Sequence, residues 1–111
     1  MKAGVKICAG SDSNPVGEIG LLEIEQIVFS GMAEMQALIA ATRNCAELCQ
    51  VLNELGTVEE GKFADLIVVT DNPLENISNL RKLEMVFKDG KQVNLERNEG
   101  QTSFWKLYFF E

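Results

Sequence analysis

One change of period divides this chain. Up to about residue 52 its apolar residues recur at helical spacing; from residue 53 they fall into short β-branched runs and alternating stretches. An all-helical bundle and an all-β sandwich are both excluded by that switch. With a strand-like segment at the very start, the order becomes strand, helices, then strands. It suggests an α+β chain in which two architectures are joined end to end.

Residues 4–10, GVKICAG, are a short apolar run with β-branched Val5 and Ile7, and they predict a strand buried on both faces. A dense cluster of turn residues follows, from Ser11 to Pro15. Residues 18–30 predict a helix whose inner stripe is Leu21, Ile24 and Val28, with Ile27 beside it. Glu18, Glu23 and Glu25 then form a solvated face, and Gly31 supplies a left-handed C-cap. A second helix over 33–42 carries Met35, Leu38, Ile39 and Thr42 inward. A third starts at an Asn44 N-cap with Glu47 in the capping-box position and turns Cys45, Leu48, Cys49 and Leu52 to the core.

The strands come next. Gly56-Thr57-Val58 opens one, Glu59–Lys62 is a turn, and residues 66–69, LIVV, form another that Asp71-Asn72-Pro73 stops. Residues 83–88 alternate, with Leu83, Met85 and Phe87 on one face. Asp89-Gly90 is a two-residue hairpin turn, and the chain returns over 91–95. Five of the eight aromatics crowd between Phe104 and Phe110. That tail over 98–111 either docks on the exposed sheet face, contacts another chain, or is sequence without a selected role.

Composition narrows function. The chain has 111 residues, enough for one domain or a piece of one and too few for a self-contained (β/α)₈ barrel, which needs roughly 200–250. It has no histidine, so it cannot by itself build a His-based metal site or a Ser-His or Cys-His nucleophile. A net charge of −7 argues against a reader of nucleic-acid phosphates. No apolar run approaches the roughly 18 residues of a membrane span, and no secretory signal opens the chain, so a cytoplasmic location is expected. The three cysteines, at 8, 45 and 49, are an odd count that suits reduced thiols in a core better than a disulfide framework or a zinc trio. Asp65, before the LIVV strand, fits a turn residue bonding to backbone. Gly61-Lys62 lacks the preceding glycine of a phosphate loop.

Residues 56–74, GTVEEGKFADLIVVTDNPL, resemble the C-terminal signature of metal-dependent amidohydrolases. Residues 3–13, AGVKICAGSDS, resemble the eighth barrel strand and catalytic loop of that superfamily. Gly31-Met32, Met35–Leu38 and Ala41–Asn44 resemble the helices that follow, and Val86–Lys91 the closing hairpin. The ordered match spans residues 3 to 95 and is most similar to the imidazolonepropionase and prolidase-like branch.

The resemblance implies a fold: the last strand of a TIM-like barrel, two to three helices, then antiparallel strands of a partial β-sandwich. It divides the chain into a barrel-end segment (1–52), a partial sandwich (53–97) and the aromatic tail (98–111). It also implies hydrolysis of non-peptide carbon–nitrogen bonds, meaning bonds other than a main-chain peptide in a large protein, with a zinc-like divalent metal. There Asp12 would be both a metal ligand and the catalytic base that takes a proton from the attacking water, with Ser11 and Ser13 shaping its loop. Without family resemblance, Asp12 is a turn residue capping a strand end.

The family's HxH pair, mid-barrel ligand and later histidines have no counterpart here, so under this resemblance the lack of histidine is expected to mark a truncation. Three expectations follow: no metal held by this chain alone, no turnover by it in isolation, and no substrate until the site is completed. The alternative reading is a non-catalytic assembly module. It would form a homo-oligomer or complete a separately encoded N-terminal chain, with neither nucleic acid nor membrane as partner.

Overall fold

The computed structural model describes residues 3–12 and 16–96. Helix α1 runs Val16–Phe29, α2 Glu34–Ala41 and α3 Arg43–Leu48. Strand β1 is Leu66–Val69, a 3-10 helix covers Ile77–Arg81, β2 is Leu83–Lys88 and β3 is Lys91–Gln92. The aromatic tail lies outside the described residues.

α1 carries the expected stripe: Leu21, Ile24, Ile27 and Val28 are half-buried. It ends where Gly31 turns left-handed (φ 112°), with Gly31 N–H donating to Val28 O and Met32 N–H to Ile27 O. The acids on α1 are not all solvated. Glu18 is exposed, but Glu23 and Glu25 are half-buried, and Glu25 accepts from Arg81 Nε of the 3-10 helix at 2.5 Å.

The short helices correct two expectations. The inward residues of α2 are Ala37 and Ala40, while Met35 is 51% exposed. Small side chains let α2 approach α1 and α3 closely, and the larger ones are left at the rim. The N-cap of α3 is Thr42, and neither its side chain nor Asn44's closes a cap. Asn44 Nδ2 instead donates to Ile7 O at 2.9 Å, and Glu47 pairs with Lys6. Ala46 takes the inner face of α3; Leu48 and Cys49 are exposed.

Residues 4–10 form no ladder. A strand exists by pairing its backbone groups, and no second strand lies beside this segment among the described residues. Its Ala9 N–H donates to Ala40 O at 3.0 Å. Residues 56–58 are likewise not a strand. They belong to a loop that closes where Phe63 N–H donates to Glu54 O. The Glu59–Lys62 turn is present, fastened by a 2.7 Å ion pair between its ends.

The sheet has order β1-β2-β3, antiparallel throughout. Leu66 pairs with Phe87, Val68 with Met85, and an irregularity separates Val68 from Val69. Asp89 (φ 51°) and Gly90 (φ 76°) join β2 to β3, both left-handed as a two-residue hairpin turn requires. Asp65 behaves as a turn residue: its carboxylate accepts from Lys88 Nζ at 2.6 Å and Asp89 N–H at 2.7 Å.

Residues 71–82 hold an element that strand periodicity does not reveal. Asn72 accepts from Leu74 N–H and Asn76 from Ser78 N–H, capping the 3-10 helix. Ile77, Asn79 and Leu80 are buried, and Asn79 Nδ2 donates to Asn72 O at 2.8 Å. No described helix is long and apolar enough to cross a membrane.

Candidate functional site

The segment 4–12 is positioned from one side by the helices. Ile7 O and Ala9 O accept from consecutive residues of α3: Asn44 Nδ2 at 2.9 Å and Cys45 Sγ at 3.4 Å. The bond from Ala9 N–H to Ala40 O adds a tie to α2, and Lys6 Nζ sits 2.6 Å from Glu47 Oε1. The segment thus lies along the α2–α3 corner by backbone carbonyls that a lone strand would otherwise leave unpaired.

Asp12 stands at its end. It is exposed and left-handed (φ 48°), a conformation that costs most residues energy and that Asp tolerates better than most. Ser11 is half-buried and lines a cleft of about 340 Å³ with Ala9, Leu21, Glu23, Ile24 and Ala41. Glu23 also borders a wider groove of about 610 Å³ between α1 and α2. Helical periodicity places Glu23 on a solvated face, whereas the structure sets it at the Ser11 cleft. Ser13 lies outside the described residues.

A divalent metal does not fit what the described residues offer. No group of three His, Cys, Asp or Glu side chains that could hold one occurs among the described residues. Asp12 alone is too small a donor set for a site that needs three or four. The three cysteines do not make a zinc site either: Cys8 and Cys45 are half-buried, and Cys49 is exposed. The arrangement at Asp12 is one carboxylate, presented on a braced segment beside a half-open cleft.

Comparison with known proteins bears on what that segment is part of. The Amidohydrolase family matches residues 1–93. The chain is 35% identical over 95 residues to ochratoxinase of Aspergillus niger, covering 82% of this chain and 20% of that protein. It is 31% identical over 106 residues to imidazolonepropionase of Thermoplasma volcanium, covering 84% of this chain and 26% of that one. Among solved structures, a Xaa-Pro dipeptidase with bound methionine in its active site superposes with a TM-score of 0.76 at 39% identity. That match covers 83% of this chain and 23% of the dipeptidase. The chain therefore spans a fifth to a quarter of the length of these relatives. Sequence and fold agree, and the chain belongs to the amidohydrolase family.

Proposed function

We propose that these residues are the Asp12-bearing part of a metal-dependent hydrolase of small-molecule carbon–nitrogen bonds. The observation that carries the reading is the placement of Asp12. It ends a segment held by α2 and α3, in a left-handed conformation that a strand end adopts only at a cost. An exposed carboxylate at the end of that segment can accept the proton of an attacking water and pass it to a departing nitrogen. In this reading the segment 4–10 is the last barrel strand, and its missing ladder partners come from the rest of the enzyme. In this reading the rest also supplies the metal donors not found among the described residues, so no step through a metal is assigned to these residues alone.

The test is complementation. The chain is assayed on Xaa-Pro dipeptides with zinc, alone and together with a polypeptide carrying an HxH strand and the two later histidines. The expected result is no turnover alone and turnover by the pair, abolished by Asp12→Asn. Turnover by the pair that survives Asp12→Asn would overturn the role of Asp12.

A second reading, an assembly module without catalysis, is favoured by the exposed apolar surface: Phe29 is 87% exposed and Val58 84%. It predicts self-association with no turnover even in the complemented mixture.

A further inference from the structure

Cys8 and Cys45 play no part in the reading above, yet the fold brings them together. Cys8 sits between Ile7 and Ala9, whose carbonyls accept from Asn44 and Cys45 of α3. Residue 8 is thereby held against the helix that carries Cys45. The Cys45 sulfur lies 3.4 Å from the carbonyl oxygen of Ala9, the residue next to Cys8, and 3.0 Å from Ala40 O. Both residues are half-buried. Cys49, at the end of α3, is exposed.

We infer that Cys8 and Cys45 are an oxidisable thiol pair, which closes to a disulfide at the expense of a low-molecular-weight disulfide. The order of attack follows from the surroundings. Burial, reinforced by the neighbouring Cys8, pushes the Cys45 thiol up, which makes it the poorer first nucleophile. Cys8 attacks the sulfur–sulfur bond of the small disulfide, one thiol leaves, and Cys8 carries a mixed disulfide. Cys45 then attacks the Cys8 sulfur, the Cys8–Cys45 bond forms, and the second thiol leaves. The protein gives up two electrons and two protons, and the small disulfide becomes two thiols. The closed pair ties the segment leading to Asp12 covalently to α3. The state of the thiols thus sets how freely that segment moves.

The experiment treats the 111-residue chain with oxidised glutathione, digests it without reduction and maps the linked peptides by mass spectrometry. The Cys8 and Cys45 thiols are expected to disappear together, whether exposed Cys49 stays free or takes up one glutathione. The linked peptide should join Cys8 to Cys45, in Cys49→Ser as in the unsubstituted chain, and a small thiol should reverse it. Unfolding gives the internal control. In urea the shortest loop closes most readily, so Cys45–Cys49 should displace Cys8–Cys45 as the main product. A native chain that links Cys45 to Cys49, that carries separate glutathione adducts on Cys8 and Cys45, or that keeps both thiols free would overturn the inference.

Discussion

At Gly56 the absence of a side chain is what lets the loop after α3 close on that helix. A Cβ there would stand 2.5 Å from Ala46 Cβ and 3.3 Å from Thr42 O, and the residue is left-handed at φ 94°. Neither obstacle is the far end of a flexible side chain, so the helix itself would have to move. Gly56→Ala should therefore cost about 2–4 kcal/mol, adding a left-handed penalty to overpacking. A urea titration checks this, and an unchanged midpoint would contradict the close approach. Gln50 is the converse case. It ends α3 at φ 61°, with Gln50 N–H on Glu47 O and Val51 N–H on Ala46 O, the closing bonds of a left-handed helix end. Glycine takes that conformation without strain, and Gln50 is exposed. Gln50→Gly should raise stability by about 1 kcal/mol. A lower denaturation midpoint for this variant would show that the extra chain entropy glycine gives the unfolded state outweighs the relieved strain.

Between elements, one tie with a titratable signature joins α1 to the 3-10 helix. The Arg81 guanidinium beside Glu25 holds its carboxyl below the usual 4.5, against a smaller opposing effect of burial. A lowered folded value means the pair stabilises the fold above the ordinary glutamate range and is lost as pH falls through the lowered value. Arg81→Met should thus lower the melting temperature at neutral pH, by the equivalent of about 0.5–1 kcal/mol for a partly exposed pair. The gap between variant and parent should close in acid; a gap that stays constant with pH would exclude the pairing as its source. The same elements show what the sequence made legible. Helices α1 and α2, β1, β2 and the Asp89-Gly90 turn carry their own signals: periodicity, β-branching and turn chemistry. The 3-10 helix was missed because its buried residues, Ile77, Asn79 and Leu80, follow neither a strand nor a full helical period. Its one advance signal was Asn76, which caps Ser78. The cap of α3 was misplaced because Asn44 finds a better acceptor in Ile7 O, 37 residues away, and no local rule contains that contact. Asp12 is legible as a residue, while its left-handed backbone is not, and the placing of Glu23 at the cleft that Ser11 lines depends on where α1 packs.

For the molecule as a whole, the deciding quantity is how little of its apolar surface is covered. The buried apolar residues are Ala37, Ala40, Ala46, Ile77 and Leu80, and no large side chain among the described residues is fully buried. Leu48 (71% exposed), Phe63 (51%) and Ile67 (52%) face outward, and the outer edge of β1 has no partner among the described residues. Ordering each residue costs about 1–2 kcal/mol of backbone entropy, and a core dominated by alanine offsets little of it. A chain so balanced gains most by covering these faces with another chain, and an open strand edge offers backbone pairing as well. We therefore expect a dimer or larger species at micromolar concentration, with a melting temperature that rises as protein is added, since association stabilises by mass action. Light scattering and melting curves over a hundredfold dilution series check both. Removing residues 98–111 should leave the association intact, because the helices and sheet already present the apolar surface. A monomer whose melting temperature ignores concentration would mean that the exposed faces are stable in water, and that the fold draws its stability from elsewhere. Association lost on trimming would transfer the contact to the aromatic tail.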